Sequence, residues 1–437
     1  MVSFNNRVKV VGLIAVAAIT FASCSKDKAT DTTVAADTAA VSETSAAAST
    51  DTAAAASADT TAVAAGADTT VLVGGNEAAP GVKAPDLPMA TAVGAGEGAL
   101  NLIAWAGYTE KAWVDPFTTA SGCKVNVKVG NTSDEMVQLI KTGEYDGVSA
   151  SGDASLRLIA AGDVAPVNTD LIPNYLDVYA GLKLKPWNSV GGQSYGVPHG
   201  RGANVLMYNT EKISPAPDSW SIVWDPNSPA KGAISAYDSP IYIADAALWL
   251  MKTKPELGIT NPYALDQTQL DAAVALLKAQ KANIGEYWSD YTKLQAAFKT
   301  GSTTASTAWQ VIANLSLAEK SSVAAVLPKE GSTGWSDTWM IATKAKHPNC
   351  MYKWMDYIVS PAANAAATEY FGEAPANPKA CELTVDKNHC TTFHAGDEDY
   401  FSQIYYWTTP TKQCLDGRDV GCTDYADWTK AWTDVKG

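Results

Sequence analysis

From Leu100 onward the apolar positions of the chain alternate between two periods. Leu100-Asn101-Leu102-Ile103-Ala104-Trp105 reads as a strand, Thr109 to Ala120 as a helix despite Pro116, and Cys123 to Val129, where Val alternates with polar residues, as a second strand. Ser133 to Thr142 is amphipathic at helical spacing, with Ser133 as the expected N-cap and Gly143 as the stop. Tyr145 to Ala150 gives a third strand and Ser155 to Ala161 a further helix. This alternation predicts an α/β fold, a parallel sheet with helices on its faces. Ligands of such sheets bind outside the carboxyl ends of the strands. That rule selects Trp105 to Tyr108, Asn131 to Ser133 and Ser151 to Asp153 as candidate site positions.

The pattern then repeats. Ser194 to Tyr208 reads as two extended pieces separated by Gly196-Val197-Pro198-His199-Gly200-Arg201-Gly202, a glycine-rich run suited to a crossover between lobes. Strands are expected at Ala233–Tyr237, Thr304–Trp309 and Trp335–Ala342, and helices at Leu270–Lys281, Tyr291–Phe298 and Cys350–Val359. This length of patterned chain suffices for two lobes with two cores.

The N-terminal part has a different pattern. Arg7 and Lys9 precede an apolar run from Val10 to Phe21, and Phe21-Ala22-Ser23 leads directly into Cys24. That order is expected of a signal peptide over residues 1–23, because the run is short of the ~20 apolar residues a membrane span needs. A cysteine at this point resembles the lipobox of bacterial lipoproteins, which implies lipidation of Cys24; the usual Leu of that motif is Phe21 here. Residues 24–97 are dominated by Ala, Thr, Ser, Asp and Gly. Such a segment has too little apolar surface to offset the entropy of ordering. It is expected to be a disordered tether with a reach on the order of 50 Å, or a stalk for sugar attachment, which the same composition allows.

The formal charge of −14 argues against nucleic acid as a partner, which would want a basic face. Besides Cys24 the chain has Cys123, Cys350, Cys381, Cys390, Cys414 and Cys422, and an exported chain with an even number suggests disulfides. Cys381 with Cys390 and Cys414 with Cys422 are close in sequence and read as local pairs, leaving Cys123 with Cys350. No CxxC is present, and His389 and His394 lack a second ligand pair, so no metal is expected. Nor is a cofactor. There is no G-x-S-x-G elbow, HExxH or phosphate-cradling loop, which leaves a lipid-anchored enzyme as the weaker alternative. His199 reads as a structural group.

Several segments carry a resemblance. Asn101-Leu102-Ile103-Ala104-Trp105-Ala106-Gly107-Tyr108, Glu144-Tyr145-Asp146-Gly147-Val148, Tyr195-Gly196-Val197-Pro198, and Lys329-Glu330-Gly331 followed by Trp335-Ser336-Asp337 occur in that order. Lys346-His347-Pro348 and Ser360-Pro361-Ala362 flank a further helix. Over residues 99–380 the chain resembles the spermidine/putrescine-binding family of periplasmic proteins. The resemblance implies a two-lobed type II periplasmic-binding-protein fold, each lobe a mixed, mainly parallel sheet flanked by helices. Residues 98–203 and 335–380 would form one lobe and 204–334 the other, closing on solute about crossovers near 203 and 334. Residues 381–437 form a Cys-containing segment that matches the family poorly.

It further implies a monomeric solute-binding lipoprotein on the outer face of the cell membrane, or in the periplasm, that serves an ABC permease. A ligand sensor for a membrane receptor is the alternative. Residue by residue, the resemblance nominates Trp105, Tyr108, Ser151, Asp153, Trp309, Trp335, Asp337 and Glu373 for the cleft. Aromatic faces attract an ammonium, and a carboxylate such as Asp337 accepts charge-assisted hydrogen bonds from it. Where the family carries a carboxylate pair for a distal amine, this chain has Ser239 and Tyr242. That departure favours a smaller or singly charged amine, an amino acid or a betaine-like solute over a long polyamine.

Overall fold

The computed structural model describes residues 81–437. The expected signal peptide, Cys24 and the tether as far as residue 80 lie outside the described residues. The last part of the expected tether is not free chain: Val82, Ala84, Ala90 and Val93 pack against the core. The Glu97 carboxylate accepts the backbone N–H groups of Asn349 and Cys350, each at 2.9 Å. A few small apolar side chains in a Pro-containing stretch are enough to fill a shallow surface groove, which composition alone underrates.

Two five-stranded sheets organise the chain. The first runs Lys124–Val129, Ala99–Ala104, Gly147–Ala150, Thr338–Ile341, Val197–Pro198. The second runs Ile284–Trp288, Ile234–Tyr237, Ala305–Ala308, Val205–Asn209, Val323–Val326. In each sheet a single strand runs against the rest, Thr338–Ile341 in the first and Val205–Asn209 in the second. The cause is topological. Each reversed strand enters from the other lobe, and so starts at the carboxyl ends of the parallel strands. Both sheets are therefore mixed and mainly parallel, as expected.

A third sheet joins them, in the order Ala374–Pro375, Gly200–Ala203, Ser332–Trp335, Ile404–Tyr406. The expected single strand Trp335–Ala342 is in fact two. Ser332–Trp335 belongs to this crossover sheet and Thr338–Ile341 to the first lobe, with Ser336-Asp337 turning between them. Periodicity could not reveal the break, because both pieces are buried along their whole length and show no alternation. The C-terminal segment contributes the fourth strand, parallel to Ser332–Trp335, and then continues onto the second lobe. Its helix Tyr425–Lys436 is held there by Trp432 Nε1 donating to Asp238 at 3.1 Å and by the Lys436–Asp238 ion pair at 2.8 Å.

Local chemistry sets the element ends. The helix Ser133–Lys141 is capped by Thr132, whose hydroxyl accepts the Glu135 N–H, and not by Ser133 as expected. Ser133 lies one residue inside, and its hydroxyl donates to Asp153 at 2.8 Å. Gly143 follows with a left-handed φ of 74°, which its missing Cβ permits. Disulfides join Cys123 to Cys350, Cys381 to Cys390, and Cys414 to Cys422. The first spans 227 residues of sequence, so the double variant Cys123→Ser/Cys350→Ser is expected to lose about 2–5 kcal/mol of stability. Thermal melting checks this; an unchanged midpoint would mean that the packed first lobe supplies the constraint without the bond.

Candidate functional site

The strand-end rule places the site. Trp105 follows Ala99–Ala104, Ser151 follows Gly147–Ala150, and Trp309 follows Ala305–Ala308. Asp337 sits in the turn where the crossover sheet passes into the first lobe. These four, with Trp335, Phe371 and Trp407, line one narrow cavity. Trp335 can lie flat on the crossover because its neighbour is Gly202; a Cβ there would stand 2.4 Å from the indole ring.

Asp337 is the chemical centre. Tyr108 Oη donates to Asp337 Oδ2 at 2.8 Å, and the Ser151 hydroxyl donates to Oδ1. Among the described residues no Lys or Arg pairs with it. Burial without a counter-charge pushes its carboxyl up to about 7, against the two hydroxyl donors that lower it.

Behind it stands Glu373, following the left-handed Gly372. Its Oε2 accepts Trp335 Nε1 at 3.2 Å and lies 3.5 Å from Tyr108 Oη. Its carboxyl is driven well above the usual range by burial and by Asp337. His199 Nε2 is 3.4 Å from the other oxygen, Oε1. Trp339 Nε1 donates to His199 Nδ1 at 3.1 Å. Indole can only donate, so the histidine proton is on Nε2, facing Glu373. Burial pushes His199 down to about 3, which keeps the ring neutral. The arrangement consistent with these contacts is a protonated Glu373 behind Tyr108, whose own proton goes to Asp337. Asp337 is left oriented and able to accept from a cation.

The walls are aromatic. Trp105 meets Trp309 edge-on at 5.4 Å, Trp335 meets Phe371 at 5.8 Å, and Tyr237 stacks on Trp407 at 5.9 Å. The indole N–H groups of Trp105 and Trp407 have no partner among the described residues.

Of the candidate residues, Trp105, Ser151, Trp309, Trp335 and Asp337 line one cavity, and Tyr108 and Glu373 back it. The remaining three lie elsewhere. Asp153 is buried at the start of its helix, facing Ser133. Ser239 is buried at the start of the short turn Pro240–Tyr242, its backbone N–H donating to the Tyr237 carbonyl at 3.1 Å. Tyr242 lines a different cavity, in the second lobe, and bonds Gln280. Phe371 and Trp407 line the cavity without being among the candidates, and His199 stands behind Glu373. Trp407 belongs to the C-terminal segment, where no period connects it to the cleft.

Residues 112–389 match the family of bacterial extracellular solute-binding proteins. The chain belongs to that family. This solute-binding protein is 24% identical over 337 residues to spermidine/putrescine-binding periplasmic protein 1 of Haemophilus influenzae, covering 72% of this chain and 90% of the relative. It is 23% identical to the putrescine/cadaverine-binding protein of Pseudomonas aeruginosa, covering 77% and 93%. Its fold matches the crystal structure of a Treponema pallidum lipoprotein with a TM-score of 0.62 at 18% identity, over 77% of this chain and 99% of that one. It also matches the crystal structure of a PBP from A. tumefaciens B6 in complex with glucopine, with a TM-score of 0.62 at 16% identity, over 78% and 100%. The solute-binding protein thus has the two-lobed type II periplasmic-binding fold, with the aromatic cavity at the crossover.

Proposed function

We propose that this solute-binding protein captures a small amine-bearing solute between its lobes and delivers it to an ABC permease. It would do so as a monomer anchored through Cys24 to the outer face of the cell membrane, and without catalysis. The observation that carries the reading is Asp337, a buried carboxylate with hydroxyl donors and aromatic walls, with which no Lys or Arg among the described residues pairs. An ammonium supplies the missing charge and meets the ring faces at the same time. Cleft closure fits the contacts between lobes: Tyr237 Oη donates to the Asn131 carbonyl at 3.3 Å, and Tyr425 Oη to Asp134 at 3.2 Å. A solute drives closure only by binding the closed form better. The names of the relatives support the amine class.

The test is calorimetric titration of simple amines across pH. In the solute-free protein the Asp337 pKa is raised from 3.8 to about 7. Between those values the folded state holds a proton that the unfolded chain has lost, so this group's contribution to stability falls as pH rises through 7. A cation binds the ionised form. Affinity is therefore expected to be full above pH 7 and to fall by up to tenfold per unit below it. Amine binding that is flat from pH 5 to 8, or absent, would remove Asp337 as the anchor. The unpartnered indoles of Trp105 and Trp407 favour a second reading, in which the solute also carries an acceptor oxygen, as an amino acid does.

A further inference from the structure

Tyr425 is rooted in one lobe and packed against the other. It opens the helix Tyr425–Lys436, which sits on the second lobe. Its root there is well held. The Asp424 carboxylate accepts the Asp427 N–H at 3.0 Å in a capping box, and the Thr423 N–H and hydroxyl each donate to the Leu265 carbonyl at 2.8 Å. The ring, however, meets the first lobe. The Arg157 guanidinium stands 3.8 Å from its centroid, and its hydroxyl donates to Asp134 Oδ2 at 3.2 Å. Arg157 lies on the helix Gly152–Ala161 and Asp134 on Ser133–Lys141. Tyr425 is only 5% exposed, yet it does not line the aromatic cavity around Asp337. It also lies beyond residues 112–389, the part that matches the family.

The socket for this ring is complete within the first lobe. Arg157 Nη1 pairs with Asp134 Oδ1 at 2.6 Å, and its Nε donates to the Asp153 carbonyl at 3.0 Å. The third nitrogen, Nη2, is buried with no hydrogen-bond partner among the described residues, so the ring face is the favourable neighbour left to the guanidinium. When the lobes part, Arg157 keeps its carboxylate and no charge is stranded. A buried ion pair split between the lobes would lack that property, since separating it leaves each charge uncompensated. Close by, Tyr237 Oη donates to the Asn131 carbonyl, so the second lobe grips residues 131–134 at two points.

We propose that Tyr425 is a latch: inserted against Arg157 and Asp134, it sets how long the closed protein holds its solute without touching the solute. This rests on the proposed capture by cleft closure and adds to it the residue that fixes the rate of release. A contact made only in the closed form raises the apparent affinity for any solute that closes the cleft. Because the contact forms after encounter, its loss falls on dissociation and leaves association unchanged.

The experiment is stopped-flow tryptophan fluorescence with putrescine as the probe, on the wild type, Tyr425→Phe, Tyr425→Ala, Arg157→Gln and the double variant Tyr425→Ala/Arg157→Gln, with thermal melts to check the fold. Tyr425→Ala is expected to release putrescine about tenfold faster, the scale of a desolvated cation–π contact. Tyr425→Phe, which keeps the ring and loses the hydroxyl bond, is expected to release it about threefold faster. The double variant is expected to be no faster than Tyr425→Ala, because the guanidinium acts through the ring. Unchanged release from Tyr425→Ala, multiplied effects in the double variant, or an affinity loss carried by slower association each overturns the latch. If the wild type does not bind putrescine, the amine reading loses its support and small-angle scattering of the empty proteins decides the latch: a larger radius of gyration in Tyr425→Ala than in the wild type is expected, and equal radii overturn it. Should Tyr425→Ala not fold, Tyr425→Phe decides in both measurements.

Discussion

Asp337→Ala is expected to weaken amine binding by at least about thirtyfold and to leave the empty protein folded. Removing one member of a buried, hydrogen-bonded charge pair costs about 2–5 kcal/mol, and here the solute's ammonium is the other member. The empty protein is spared because its Asp337 has no cationic partner to strand. What the variant loses in the free state are two hydroxyl bonds, from Tyr108 and Ser151, and both donors border the cavity or its wall. Calorimetry measures the affinity and a thermal melt the fold. Wild-type affinity in a folded Asp337→Ala protein would move the anchor elsewhere.

The second large effect concerns backbone. Gly152→Ala would place a Cβ only 1.7 Å from the Trp407 carbonyl oxygen and 2.8 Å from the Trp187 Cβ. A main-chain carbonyl cannot rotate away as a side chain can. It is fixed locally, because the Trp407 N–H donates to Gly334 O at 2.8 Å and Thr409 N–H to Gly152 O at 3.0 Å. Overpacking of this kind costs about 1–3 kcal/mol. The strain is expected to lift residues 404–409 off the crossover sheet and to take the Trp407 wall out of the cavity. A lowered melting midpoint together with weaker binding is the expected pair of results. If Gly152→Ala melts and binds as the wild type does, the C-terminal strand does not form part of the site.

These two residues also mark what could be read from the sequence. Asp337 and Trp309 were legible through the family resemblance, and Trp105 and Ser151 because each follows the carboxyl end of a strand of an α/β sheet. The strand ends obey a local rule. Gly152 and Trp407, by contrast, meet only through a contact 255 residues apart in the chain, and nothing periodic announces it. The break at Ser336-Asp337 was hidden for a related reason, since two buried strands in different sheets look like one long strand. His199 reads as structural in isolation, and its contact with Glu373 depends on a helix that arrives much later in the chain.

The three disulfides bear on how the molecule moves. Cys123 and Cys350 both belong to the first lobe, Cys381 and Cys390 enclose one short loop, and Cys414 and Cys422 another, the latter held against the second lobe by Arg418 and Asp266. None links a residue of one five-stranded sheet's lobe to the other. The covalent reinforcement is therefore confined to parts that travel as units, and the bending sheet between them is left to hydrogen bonds. Oxidation and reduction should change how long the protein survives outside the cell without changing how readily its jaws open.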